Sequence, residues 1–221
     1  MQITPAEYDN WYHTPRGQWI SEQEFVLMMK LLRPTVGSTL LDVGCGSGHF
    51  SRRFRQAGLT VTGLDPEPQM VAYARRQSAG IDYIEAVAER LPFADQHFDY
   101  CSAITSLCFV SGPVTALQEM WRVSKHGIIL GLLNRHSLLC RQKAGHGAYA
   151  GARWDARGDV INWLATAGIT PASVRFNSAI FFPTGGLLAR VTETLLPGGL
   201  LWGGFLAVYI DRRSPGQFAE S

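Results

Sequence analysis

Residues 40–50, LLDVGCGSGHF, decide how the rest of the chain is read. An apolar run that meets Gly44, Gly46 and Gly48 reads as a buried strand turning through a G-x-G-x-G loop into a helix. Glycines in such a loop permit positive φ and remove the Cβ that would hold a ligand away from the backbone N–H groups. The dinucleotide fingerprint is G-x-G-x-x-G, and this chain has His49 where that pattern puts its third glycine. A ligand without a pyrophosphate therefore suits the loop better. Asp42 lies inside the strand end, where a carboxylate is costly unless paired or hydrogen-bonded. Its expected partners are an amino group or loop N–H groups.

Outward from this stretch, strands and helices alternate. HFSRRFRQAG (49–58) sets Phe50, Phe54 and Ala57 on one helical face and stops at Gly58. TVTGLD (60–65) and PEPQMVAYARRQSAG (66–80) form a second strand and helix. IDYIEA, HFDYCSAIT, GIILGLL, ITPASVRF and FLAVYIDR supply further strands, and the last is expected to pair antiparallel with its predecessor. GPVTALQEMWRVSK and DARGDVINWLATAG are helices between them. Upstream, SEQEFVLMMKLLRP (21–34) is expected to start at Ser21 with Glu24 as its capping-box partner and to stop before Pro34. The prediction is an α/β fold with a doubly wound, mainly parallel seven-stranded sheet and an antiparallel last strand. One domain covers 1–221: an N-terminal lid and helix (1–35), a cofactor-binding half (36–134) and a substrate-side half (135–221).

Composition limits the classes of function. Hydrophobic residues make up 46% and charged residues 17% of 221 residues, which suits a globular core and excludes a disordered chain. The net charge of +2 carries no run of Lys or Arg, so no nucleic-acid partner is expected. Cys45, Cys101, Cys108 and Cys140 form no C-x-x-C pair, so neither a disulfide framework nor a metal site is expected. Residues 195–210 are apolar but are broken by Pro197 and four glycines, too short a stretch for a transmembrane helix. With no basic, apolar leader at the N-terminus, the expected location is cytoplasmic.

Asp65 ends the second strand about twenty residues beyond the first glycine, where an acid can accept both hydroxyls of a ribose. Together with LDVGCGSG, VTGLDPEPQMVAYAR, AERLPFADQHFD and ALQEMWRVSKHGIIL, in that order across residues 36–134, it resembles the class I S-adenosylmethionine-dependent methyltransferases. The likeness is to the group that includes the ubiquinone and menaquinone biosynthesis enzymes. It implies a Rossmann-like methyltransferase fold with S-adenosyl-L-methionine as cofactor. The backbone of Gly44, Cys45 and Gly46 would cradle the methionine part, beside Asp42, and Asp65 would hold the ribose. Pro66 and Met70 would lie near the adenine, Ala88 would offer it an N–H, and Glu89 is counted beside them. The family usually reads G-D-A-E before L-P-F; here Val87 replaces the Asp that accepts from the adenine amino group.

Methyl transfer from a sulfonium is a one-step displacement that requires no fixed triad, so no catalytic residue is assigned. Near the N-terminus, YDNWYHTPRGQW (8–19) sets Tyr8, Trp11 and Tyr12 at i, i+3 and i+4. The resemblance makes this segment a lid whose rings face the sulfonium, with Arg16 reaching the methionine carboxylate; a plain aromatic cluster packed on the sheet is the competing reading. His13, Asn134, Arg135 and His136 are candidate contacts for a small-molecule acceptor, against the alternative of solvated loop residues. Residues 140–154 suit a substrate loop or a surface connection. Residues 181–202 suit an acceptor pocket, a homodimer contact or ordinary core packing. Two other functions stand beside the methyltransferase: a cofactor-binding protein of this fold without turnover, and a nicotinamide-dependent oxidoreductase.

Overall fold

The computed structural model describes residues 4–197 and 199–213; residues 1–3, Gly198 and 214–221, which the 1–221 domain and the 181–202 stretch include, lie outside the described residues. The helices are α1 (Pro5–Trp11), α2 (Pro15–Leu32), α3 (His49–Gln56), α4 (Pro68–Gln77), α5 (Pro113–Val123), α6 (Leu138–Lys143), α7 (Arg157–Thr166) and α8 (Leu187–Leu195). The strands are β1 (Thr39–Val43), β2 (Thr60–Asp65), β3 (Asp82–Glu85), β4 (Phe98–Ile104), β5 (Ser124–Leu133), β6 (Ser173–Ala179) and β7 (Phe205–Asp211). They make one seven-stranded sheet in the order β3-β2-β1-β4-β5-β7-β6. The pairs among β1 to β5 are parallel, whereas β7 runs antiparallel to both β5 and β6. The expected sheet and its antiparallel last strand are both present.

The sheet is covered on both faces, and the period-two alternation of β1 shows how. Leu40 joins the core under Met28, Leu32, Phe54 and Val71, whereas Leu41 and Val43 join the core formed with Leu117, Met120, Val160 and Leu164. Helices α2, α3 and α4 therefore lie on one face and α5 and α7 on the other. Each fully buried Leu or Phe contributes about 1.5–3 kcal/mol of transfer free energy. Strand order reverses between β1 and β4, which opens the crevice at their carboxyl ends.

The start of the second helix differs from expectation. Helix α2 begins at Pro15, not Ser21: Thr14 caps it by accepting from the Gly17 N–H at 3.0 Å, and Pro15 fills the first turn. Ser21 is buried mid-helix and donates to the Gln18 carbonyl at 3.2 Å. The Thr-Pro pair is the stronger start signal, because proline fixes φ and its missing N–H falls where none is needed. Helix α1 starts in the same way, with Thr4, Pro5 and a capping box to Glu7. No described helix is long and apolar enough to cross a membrane.

Candidate cofactor and acceptor site

The crevice between β1 and β4 is built around Asp42. This side chain is 2% exposed, accepts from Ser51 Oγ at 2.6 Å and Ser102 Oγ at 2.8 Å, and burial pushes its pKa up to about 6. Its partners within the protein are two hydroxyls, from α3 and β4, and the loop N–H groups expected to meet it donate elsewhere. Gly44, Gly46 and Gly48 follow with φ of 71°, 55° and 80°. A Cβ on Gly44 would collide with Ser106, which in turn donates to the Val43 carbonyl at 2.8 Å. The glycine thus lets the end of β1 close on the loop after β4.

The loop's N–H groups are largely committed within the protein. Those of Gly44 and Cys45 donate to the Leu64 carbonyl at 2.7 and 2.9 Å, and that of Gly46 donates to Asp65 Oδ2 at 2.8 Å. The other Asp65 oxygen accepts from the Glu67 N–H at 3.0 Å; burial raises this carboxyl's pKa. Asp65 therefore ties the glycine loop to the end of β2, beside exposed Pro66 and half-buried Met70. Farther along, Ala88 is buried, Glu89 accepts from the Gly112 N–H at 3.4 Å, and Val87 is 48% exposed.

The N-terminal segment packs over this loop. Tyr8 and Tyr12 line a narrow cleft with Asp42, Gly44, Cys45, His49, Phe50 and Ile104. The two hydroxyls lie 3.2 Å apart, and the Tyr12 ring stacks on His49 at 3.7 Å between centroids. Trp11 does not share their direction: it is 36% exposed and meets the Tyr12 ring edge-on at 5.0 Å. Asp9, buried on the same short helix, accepts from Ser47 Oγ and Arg52 Nη2, both at 2.7 Å. Burial pushes its carboxyl upward, yet those two partners hold it below the ordinary range. Helix α1 is therefore fastened to the glycine loop by the buried Ser47–Asp9 hydrogen bond and to α3 by the partly buried Asp9–Arg52 pair, neither of which a motif announces.

Other candidates stand apart from the cleft. Arg16 donates from Nε to the Pro183 carbonyl at 2.8 Å, so its guanidinium is engaged with the 183–185 turn and not with the glycine loop. His13 is exposed, with Nε2 3.8 Å from Asp9. Asn134 is 1% exposed and fully employed: it donates to the carbonyls of Leu201 and Gly203 at 3.0 and 2.8 Å and accepts from the His136 N–H at 3.1 Å. Arg135 pairs with Asp159 at 2.6 Å, while His136 is exposed. Asn134 is a strut between β5 and the loop before β7, because a buried amide needs all its partners satisfied.

Three residues that sequence reasoning passed over belong to the site. Ser102 and Ser106 support Asp42 and Val43, and nothing in an apolar strand's pattern marks them. His49 is the third: its Nε2 is buried with no hydrogen-bond partner, and burial pushes its pKa down to about 3. A neutral imidazole with an open nitrogen beside a glycine-lined cleft fits a polar ligand that supplies the missing partner. Among the described residues, no group of three or more His, Cys, Asp or Glu is placed to hold a metal.

The family model described as a methyltransferase domain matches residues 41–131, the segment that holds every wall of this cleft except the lid. Over that segment the chain is similar to methyltransferase domains. A malonyl-[acyl-carrier protein] O-methyltransferase of Pectobacterium atrosepticum is 40% identical over 103 residues, which are 47% of this chain and 41% of that protein. An uncharacterized protein of Mycobacterium tuberculosis is 29% identical over 170 residues, 74% of this chain and 57% of the relative. The chain thus spans well under two thirds of the length of the curated relatives it matches. Among solved structures, an S-adenosylmethionine-dependent methyltransferase of Thermotoga maritima superposes with a TM-score of 0.71 at 22% identity, covering 94% of this chain and 96% of that one. The fold therefore extends beyond the matched segment through β6 and β7, and the domain match and fold together imply S-adenosyl-L-methionine as cofactor.

Proposed function

We propose that the chain transfers a methyl group from S-adenosyl-L-methionine to a small-molecule acceptor. The observation that carries this reading is the meeting of the glycine loop, Asp65, Asp42 and the rings of Tyr8 and Tyr12 at the point where strand order reverses. When bound, the cofactor supplies an electrophilic methyl carbon on a sulfonium. The chain's own residues do the rest by alignment and exclusion of water. Gly44, Cys45 and Gly46 would bound the methionine part, with His49 Nε2 available to one of its polar ends. Asp65 retains oxygen lone pairs for the ribose beside its two N–H donors. Pro66, Met70, Ala88 and Glu89 would border the adenine, with the substituted Val87 leaving its amino group to solvent. Trp11 would reinforce the lid from outside, and Arg16 would act on it only through the 183–185 turn.

The closed cleft has about 20 Å³ of free volume, room for little more than one water molecule and far below a site that encloses a ligand of this size. Entry therefore requires α1 to lift, breaking the Asp9 contacts with Ser47 and Arg52. The acceptor is taken to be a small molecule, without nucleic acid, and the location cytoplasmic; the net charge of +2 with no basic run supports the first part. Asn134 is a scaffold in this reading, and Arg135, His136 and His13 lie at its rim.

Calorimetric titration with S-adenosylhomocysteine tests the reading: one molecule is expected to bind per chain and to raise the melting temperature. Protection by NAD and not by either adenosyl compound would overturn it in favour of the nicotinamide alternative. Binding without methyl transfer to any acceptor would leave only the cofactor-binding protein.

A further inference from the structure

Of the polar side chains that line the cleft, His49 alone carries a buried atom without a partner among the described residues. The Tyr8 and Tyr12 hydroxyls share one hydrogen bond at 3.2 Å, Asp42 accepts from Ser51 and Ser102, and the Cys45 thiol reaches the Gly46 carbonyl at 3.9 Å. The His49 ring is held on two sides. One face lies on Tyr12 at 3.7 Å between centroids and 6° between planes, and Phe50 meets the ring edge-on at 5.1 Å. Nε2 is therefore fixed at the cleft with its hydrogen-bonding position unfilled, a cost that a bound ligand would remove.

The surroundings of the ring select the sign of that ligand. His49 is the first residue of α3, at the positive end of the helix dipole, and Arg52 and Arg53 follow on the same helix. Burial and those two charges push its pKa down to about 3, against the opposite pull of Asp9, so the imidazole is neutral and can carry its proton on Nε2. Neighbouring side-chain donors are engaged elsewhere: Ser47 with Asp9, Ser51 with Asp42, Arg52 with Asp9 and the Ser47 carbonyl, and Arg53 with Glu22. An anion arriving here is left with His49. Asp42, also on the cleft wall, is an acceptor that suits a cation. The cleft thus has a fixed polarity, with a carboxyl at Asp42 and a donor at His49.

We propose that His49 Nε2–H donates to the carboxylate of the cofactor's methionine part and makes the site selective for a methyl donor that carries it. This rests on the methyltransferase reading above. S-adenosyl-L-methionine and its decarboxylated form share the sulfonium, the ribose and the adenine, so Asp65 and the residues that border the adenine meet the same groups in both. His49 does not, because without the carboxylate its N–H stays buried and unpaired. Tyr12, stacked on the ring, keeps water from the bond. His49 is a positioning residue here: it fixes the tail of the cofactor and moves no proton in the transfer.

The test compares three thioethers by calorimetric titration: S-adenosylhomocysteine, its aminopropyl analogue, which lacks only the carboxylate, and its carboxypropyl analogue, which lacks only the ammonium. His49→Phe keeps a ring against Tyr12 and removes both nitrogens. It should weaken S-adenosylhomocysteine and the carboxypropyl analogue by about tenfold or more, the scale of one charge-assisted hydrogen bond, and leave the aminopropyl analogue within about twofold. An equal loss for all three ligands would overturn the assignment by reducing His49 to a stacking surface. A loss confined to the two ligands with an ammonium would overturn it by making Nε2 an acceptor, and so would no loss at all. Should the variant fail to fold, NMR of the unaltered chain decides. The His49 Nε2–H signal should move downfield with the two carboxylate ligands and not with the aminopropyl analogue; any other pattern overturns the proposal. If S-adenosylhomocysteine itself fails to bind the unaltered chain, it is the methyltransferase reading that falls.

Discussion

Two runs of glycine share a backbone conformation and little else. Gly44, Gly46 and Gly48 have φ of 71°, 55° and 80°; Gly145, Gly147 and Gly151 have 77°, 56° and 77°. Around the first run, a Cβ would strike Ser106 from Gly44 and the Tyr83 hydroxyl from Gly48; around the second, nothing lies within 4 Å. Positive φ alone asks for glycine in both places. Only the first run is also required by close packing, since strand end, lid and ligand cleft converge there. A glycine pattern thus points to a site when it follows a buried strand, and to a surface turn when it does not.

The largest effect should come from the lid where it joins the first run. Tyr12→Ala removes a ring that is 7% exposed and stacked on His49, and should cost about 3 kcal/mol of stability together with cofactor affinity. Trp11→Ala, at 36% exposure, should leave the melting temperature nearly unchanged while weakening the lid. Equal losses from the two, read by thermal melting and by titration, would return the segment to a simple packed cluster.

Next in size is the direct contrast between the runs. Gly44→Ala combines strained φ with a collision at Ser106 and should destabilise by more than about 2 kcal/mol, whereas Gly145→Ala meets only the backbone penalty of roughly 1 kcal/mol. Denaturant midpoints that fell equally for both would show that packing around Gly44 is irrelevant.

A smaller effect depends on pH. Glu24 has a raised pKa in the folded chain, so its favourable contribution is complete below the unfolded value of 4.5 and is lost as pH rises toward about 8. Glu24→Gln should therefore melt higher than the unaltered chain at pH 8, and the advantage should vanish near pH 4. Asp42 follows the same sign over a lower window ending near pH 6, and Asp42→Asn moves the curve there instead. A pH-independent gain from Glu24→Gln would indicate a packing effect. Smallest of all, Leu187→Ser on the 82%-exposed start of α8 should change stability by no more than about 0.5 kcal/mol.

The positions of the glycine loop and of Asp65 at strand ends were legible because the signals for them are local. Gly44 and Gly46 follow an apolar run, and Asp65 ends the next one, so period and punctuation alone place them. The partners of Asp42 were not legible: Ser51 and Ser102 lie 9 and 60 residues away and meet it only when α3 and β4 pack. Glu24 was misread because a Ser-x-x-Glu spacing inside a longer helix imitates a capping box, while Thr14-Pro15 holds the true start. Arg16 and Asn134 looked available because neither the Pro183 turn nor the Gly203 carbonyl is near them in sequence.

Strand β7 has a consequence for how the sheet is completed. It is the last described strand yet lies between β5 and β6, and β6 pairs with no other described strand. During synthesis, β1 to β5 can assemble around the Asp42 crevice as they emerge, whereas β6 must wait about thirty residues for the strand that joins it. Until then the outer edge of β5 is an unpaired template, open to the wrong strand or to another chain. The order of synthesis therefore leaves the β5–β7–β6 edge of the sheet as the last to become orderly and the first exposed to misassembly.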